Sequence, residues 1–187
     1  MKEDAPQFVI GDKRKVKKED EMFDSSMTPA IVMFNPKYPH NVGAAVRACS
    51  CFDSPLILFT GERVSLEPSG VKGYRLPREE RMKGYKDVTL VNDEYPFNRF
   101  KNGITPVAVE VRDNAELLPN FIHPENAVYV FGPEDGSLPQ IFLKHCQRFL
   151  YIPSKHCLNL SAAIYVTLYD RKAKRDFYRD SGYFDLN

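Results

Sequence analysis

The chain has 187 residues, 43% of them apolar and 27% charged, with a net charge of +1. That length suits one domain with its own core, and so small a net charge excludes a global pull toward nucleic acid, leaving only local patches to provide one. No apolar run approaches the span of a bilayer, and Met1-Lys2-Glu3-Asp4 opens no signal-peptide pattern, so a cytoplasmic protein with no membrane partner is expected.

In chain order, residues 1–27 are polar and aperiodic and read as a mobile arm. The arm carries the basic run Lys13-Arg14-Lys15-Val16-Lys17-Lys18 followed by Glu19-Asp20-Glu21, which suits a nucleic-acid arm or a solvated tail equally. From Ala30 the pattern changes. Runs rich in Val, Ile and Phe recur at Ala30–Phe34, Leu56–Phe59, Val88–Val91, Pro106–Val111, Ala127–Phe131 and Phe149–Ile152. They do not strictly alternate with polar residues, as expected of strands covered on both faces of a parallel sheet. After the first run, Asn41 is a favourable helix-capping residue, and Val42, Ala45, Val46, Cys49 and Phe52 form one apolar stripe of a helix starting near it. Arg47 falls off that stripe.

Residues 60–87 form a long connection punctuated by Pro68, Gly70, Gly73 and Pro77. Within it Lys72, Arg75, Arg78, Arg81, Lys83 and Lys86 outnumber Glu79 and Glu80, and Tyr74 and Tyr85 lie among them. Cations mixed with tyrosines suit phosphate contacts and base stacking. In the last helix Leu160, Ile164, Thr167 and Leu168 share a face, with Asn159 as cap. Arg171, Lys172, Lys174 and Arg175 suit the negative end of its dipole. Strands alternating with helices imply an α/β fold. The domain is placed at 28–176, with a tail at 177–187.

Three segments stand at junctions of strand, loop and helix: Asn41-Val42-Gly43-Ala44-Ala45-Val46-Arg47, then Phe131-Gly132-Pro133-Glu134-Asp135-Gly136, then Ile152-Pro153 through Leu158-Asn159-Leu160-Ser161-Ala162-Ala163. In this order they resemble the SpoU/TrmH-type branch of the SPOUT, or α/β-knot, methyltransferases, over about residues 29–172. The resemblance implies a mostly parallel sheet with helices on both faces and a C-terminal trefoil knot. It also implies an S-adenosylmethionine site in that knot, a homodimer, no metal, and methyl transfer to a ribose 2′-hydroxyl in RNA. One domain without a separate RNA-binding unit points to tRNA ahead of rRNA.

The resemblance makes Arg47, Glu134 and Asn159 the catalytic group. It places Val109, Gly132, Ile152, Cys157, Leu158 and Leu160 around the cofactor. Asn41 is expected to meet the RNA, together with Arg75, Arg78, Arg81 and Lys83 of the long connection. Methyl transfer from a sulfonium to an alcohol needs hydroxyl, methyl and sulfur held in line, and something to take the proton or stabilise the developing alkoxide. A guanidinium hardly ever gives up its proton. A grip on an RNA phosphate, or stabilisation of the alkoxide, therefore suits Arg47 better than the role of base. Gly132 is expected to admit the cofactor closely, and Glu134 to organise the site through hydrogen bonds.

The chain departs from the family pattern at two places. A glycine expected three residues after Glu134 is replaced by Ser137, with Gly136 one place early. The stretch Ser154–Leu158 is shorter than usual, with Cys157 where serine is common. Both departures favour the alternative of a non-catalytic RNA-binding module on the same fold. No Gly-x-Gly-x-x-Gly or Gly-x-x-x-x-Gly-Lys follows a strand, which argues against a dinucleotide or nucleotide enzyme. His145-Cys146, His156-Cys157, Cys49 and Cys51 lack the paired spacing of a zinc site, and reduced thiols are expected.

Overall fold

The structure is a computed structural model and describes residues 22–64 and 87–181. Its strands are β1 (Ala30–Met33), β2 (Leu56–Phe59), β3 (Thr89–Asn92), β4 (Thr105–Val109), β5 (Glu116–Leu117), β6 (Ala127–Phe131) and β7 (Arg148–Tyr151). The helices are α1 (Pro39–Cys51), the single turn α2 (Gln140–Leu143) and α3 (Leu160–Ser181). All six apolar runs form strands. The seventh strand, β5, has two exposed residues, too few to leave a periodic trace in the sequence.

The sheet runs β3-β2-β1-β6-β4-β7-β5, and every neighbouring pair is parallel. Register explains the apolar runs. Ile31, Met33, Ile57, Phe59, Val107, Tyr129, Phe131 and Leu150 pack on one face, under Val42, Ala45 and Cys49 of α1 and Leu160, Ile164 and Leu168 of α3. Their neighbours Ala30, Val32, Leu56, Leu58, Ala108, Val128 and Val130 pack on the other face, under Leu138, Phe142, Phe23 and Phe100. Both sets are buried, so successive residues are apolar in either direction. Met33 pairs with both Phe59 and Phe131, and Val109 with Phe131 and Leu150. The C-terminal ends of five adjacent strands therefore align along one edge. Among the described residues no helix is long and apolar enough to cross a membrane.

Three expectations are corrected. First, α1 begins at Pro39, two residues before Asn41, so Asn41 is not its cap. Tyr38 occupies the N-cap with no side-chain cap bond, and proline's fixed φ is already helical at the first position. Asn41 sits inside the first turn with 1% of its surface exposed. Second, the polar arm is not structureless to residue 27. Phe23 is buried, pairs with Phe100 through backbone bonds to Arg99 and Lys101, and lies under the Arg99 guanidinium. The rest of the arm, 1–21, lies outside the described residues. Third, the basic group of α3 is not at its end, because the helix runs to Ser181. Arg171 is buried and donates to the carbonyls of Pro124 and Glu125 at 2.9 and 2.7 Å. It braces the loop entering β6 instead of answering a dipole.

Candidate active site

Loops leaving a parallel sheet meet at the carboxyl ends of its strands, where ligands of such sheets bind. Here β6, β4 and β7 are neighbours, so the segments after Phe131, Val109 and Tyr151 converge although they are far apart in sequence. They enclose a cavity of about 410 Å³, with Leu160 and Ala163 of α3 as its floor. That lies within the range of small-molecule sites, about 300–1,000 Å³. Val109, Gly132, Ile152, Cys157, Leu158 and Leu160, the six residues expected around a cofactor, all line it. So do Glu110 and Tyr151, which the sequence did not single out, and Ser137 and Ser154, which it marked only as departures from the family pattern.

Gly132 lines the cavity and is also closely approached by its own loop. A Cβ there would lie 3.3 Å from Leu138 N and 3.5 Å from the Ser137 carbonyl carbon. The loop's own backbone folds back over Gly132, and the close approach is internal. Leu138 N in turn donates to Glu110 Oε2 at 3.0 Å, which ties this loop to the end of β4. Ser137 in place of a glycine thus still leaves a closed turn against Gly132. In the shortened third loop the Ser154 hydroxyl donates to the His156 carbonyl at 2.8 Å, and Ser154, Cys157 and Leu158 face the cavity.

At the cavity's edge the three motifs touch. Glu134 accepts from Asn41 Nδ2 at 2.5 Å, from Lys37 N at 2.7 Å and from Tyr38 N at 3.4 Å. Asn41 Oδ1 accepts from Asn159 Nδ2 at 3.0 Å. Asn159 Oδ1 caps α3, accepting from Ser161 N at 2.9 Å and Ala162 N at 3.3 Å. A carboxylate, a buried amide and a capping amide thus form one chain, Glu134–Asn41–Asn159. Burial opposes ionisation of Glu134. The bonds from Asn41, Lys37, its own N–H and Tyr38 outweigh it and hold the carboxyl below its usual pKa. Asn41 is the middle link, with both ends of its amide engaged. This is why it does not cap its helix, and its burial leaves it bracing the site instead of offering itself to RNA.

Beside Glu134, Asp135 takes a bidentate grip from Arg63 at 2.9 and 2.8 Å and an ion pair from Lys37 at 3.3 Å. Arg63 above all, helped by Lys37, pulls its carboxyl down to about 2, with burial acting the other way.

Arg47 stands apart. It is exposed on α1, about 9 Å along the helix axis from Asn41, and is absent from the cavity wall. Its charge is felt instead at Tyr165 of α3, whose hydroxyl is raised in pKa by burial and lowered slightly by Arg47. Arg75, Arg78, Arg81 and Lys83 lie outside the described residues. Among the described residues no three His, Cys, Asp or Glu side chains gather to hold a metal. All four cysteines are free thiols.

A family model described as the SpoU rRNA methylase family matches residues 28–169. A tRNA (cytidine(34)-2′-O)-methyltransferase of Methylovorus glucosotrophus is 28% identical over 152 residues, covering 79% of this chain and 96% of the relative. The A. aeolicus TrmH/SpoU tRNA modifying enzyme superposes with a TM-score of 0.64 at 20% identity, covering 79% of this chain and 75% of that one. The SpoU methyltransferase AviRb from Streptomyces viridochromogenes, solved in complex with AdoMet, superposes with a TM-score of 0.62 at 15% identity. That alignment covers 80% of this chain and 61% of AviRb, so the chain spans about three-fifths of AviRb's length.

Proposed function

Because this chain belongs to the SpoU rRNA methylase family, we propose that it transfers a methyl group from S-adenosylmethionine to a ribose 2′-hydroxyl of RNA, a tRNA ahead of an rRNA. The observation that carries the reading is the Glu134–Asn41–Asn159 chain at the mouth of a cavity of about 410 Å³. An inert RNA-binding module has no need of a small-molecule cavity with a depressed carboxylate at its edge.

The cavity's chemistry fits the cofactor. Val109, Ile152, Leu158 and Leu160 offer apolar walls to a heteroaromatic base, while the Gly132–Ser137 loop, Glu110 and Ser154 offer polar groups to the ribose and amino-acid parts. The ionised Glu134 suits a ligand that carries a positive sulfur. When bound, the cofactor supplies an electrophilic methyl group. The protein's part is placement: the three-motif chain locks the loops that present the hydroxyl, and in-line positioning accounts for most of the barrier reduction. Arg47 is assigned to an RNA phosphate or to the alkoxide that develops as the proton leaves.

The homodimer, the C-terminal knot, a metal-free reaction and a cytoplasmic setting belong to the same proposal. For the dimer, α1 and α3 pack side by side and leave Val166 and Tyr169 exposed at 37% and 61%. For the knot, β6 enters between β1 and β4, and β7 between β4 and β5, so the last strands occupy places flanked by earlier ones.

The test is methyl transfer from labelled cofactor into total tRNA and into rRNA, followed by nucleoside mass spectrometry. A 2′-O-methylated nucleoside is expected. RNA binding without incorporation would favour the non-catalytic module. Arg47→Ala should lower kcat by about a hundredfold or more with S-adenosylhomocysteine affinity unchanged. Wild-type turnover in that variant would return Arg47 to the status of a surface residue.

A further inference from the structure

The segment that feeds Glu134 its backbone donors, Lys37-Tyr38-Pro39-His40, also holds two aromatic rings that no part of the site described above uses. Tyr38 and His40 lie ring on ring, centroids 5.2 Å apart and planes 16° from parallel. Both are in solvent: Tyr38 keeps 41% of its surface exposed, and His40 is exposed. We propose that the Tyr38–His40 pair is a stacking platform for an unpaired base adjacent to the ribose that is methylated. This rests on the RNA methyltransferase reading and adds to it a positioning element for the substrate.

Four features carry the inference. Position comes first. Tyr38 N bonds to Glu134 Oε1, and three residues later Asn41 bonds to the same oxygen, so the platform borders the cavity mouth. The second is rigidity. Lys37 N and Tyr38 N are both anchored on Glu134, and Pro39 fixes the backbone between the rings. A base that lands there meets a surface already ordered, so little is lost in ordering it. The third is the residue type. An N-cap favours Ser, Thr, Asp or Asn, whose side chains take up a free helix N–H. Tyr38 occupies that position and makes no cap bond, so helix stability does not account for a tyrosine there. The fourth is charge. Lys37 Nζ lies 5.3 Å from the Tyr38 ring centre, and Lys37 and Arg63 share the single carboxylate of Asp135. Lys37 thus sets a positive charge by the Tyr38 ring, and Arg63 shares its carboxylate, so the segment can meet the phosphate of a stacked nucleotide. Every base has a π-face, so such a platform holds a splayed nucleotide whatever its identity, whereas a base within a duplex is already stacked and unavailable.

Tyr38→Leu, His40→Leu and Tyr38→Phe test the platform. With unfractionated tRNA as substrate, each leucine variant should raise KM for RNA roughly five- to a hundredfold, with kcat, S-adenosylhomocysteine affinity and melting temperature held. Tyr38→Phe, which keeps the ring, should behave as wild type. A single-stranded RNA oligonucleotide carrying 2-aminopurine should lose fluorescence on binding the wild-type chain and not the leucine variants, and its duplex should lose none. An unchanged KM in the leucine variants overturns the proposal. So does a Tyr38→Phe variant as impaired as Tyr38→Leu, or a KM change that brings a fall in cofactor affinity or melting temperature, since the rings would then be a brace. Absence of methyl transfer by the wild-type chain would defeat the methyltransferase reading alone, because fluorescence reports the stacking without turnover.

Discussion

Replacing Asn41 by leucine isolates the link on which the site depends. The two side chains branch alike, but leucine's methyls are bulkier than the amide, so some overpacking adds to the loss of both hydrogen bonds. Glu134 Oε1 loses the shorter of its two donors, keeping Tyr38 N at 3.4 Å, and Asn159 Nδ2 loses its acceptor. A bond to an ionised carboxylate contributes about 1.5–3 kcal/mol and a neutral one about 0.5–1.5, so the variant should be destabilised by about 2–4 kcal/mol at neutral pH. The pH dependence gives a second reading. The folded-state pKa of Glu134 lies below its ordinary 4.5, so the carboxylate contributes stability that is fully present above that ordinary value and is lost as pH falls through the lowered one. Asn41→Leu raises the folded pKa, because burial is then opposed by fewer donors. The gap between wild type and variant should therefore narrow as pH drops below 4.5. Urea unfolding at pH 7 and pH 4 measures both quantities, and calorimetry with S-adenosylhomocysteine reports whether the loosened loops still form the cavity. A variant within about 0.5 kcal/mol of wild type, the usual scatter of surface substitutions, with the same gap at both pH values, would refute the idea that Asn41 joins the three motifs.

Two further outcomes follow from buried groups. His123 has 2% of its side chain exposed and sits between the Tyr129 hydroxyl at 2.6 Å and Asp170 at 2.8 Å. Burial first, opposed by Asp170, lowers its pKa from 6.5 to about 4, which fits a neutral ring that accepts from tyrosine and donates to the carboxylate. The unfolded chain takes up this proton at higher pH than the folded one, so stability should fall by about 3 kcal/mol as pH goes from 6.5 to 4. His123→Gln should lack that part of the slope, and superimposable pH–stability curves would contradict the assignment. Among the thiols, burial pushes Cys49 and Cys146 up to about 12, whereas Cys51 and Cys157 are exposed. Peptide mass spectrometry after brief alkylation should find the last two labelled. S-adenosylhomocysteine should protect Cys157, which lines the cavity, and protection of Cys51 instead would place the ligand elsewhere.

How far the residues announce the structure differs from element to element. Asn159 follows its local rule, because capping uses only its oxygen and leaves the amide nitrogen free for Asn41. Asn41 breaks the same rule, because a partner 93 residues away takes its nitrogen and one 118 residues away takes its oxygen. Gly132 reads as a glycine that something must approach, but that the visitor is Leu138 N of its own loop depends on a turn that no spacing encodes. Phe23 is one aromatic in a polar stretch, with no periodicity to mark it as core. His123 belongs to no motif, and its partners lie on β6 and α3.

The strands, the helices and the chemical groups at their junctions were settled by the chain itself, because apolar runs, capping residues and breakers act within a few residues of one another. Which junctions become neighbours was decided by the sheet. The order β3-β2-β1-β6-β4-β7-β5 brings the ends of β4, β6 and β7 to one edge, and parallel pairing aims all their loops at one cavity. Strand order arises from packing two apolar faces and satisfying ladder hydrogen bonds over the whole domain. It therefore belongs to the fold as a whole and to none of its segments.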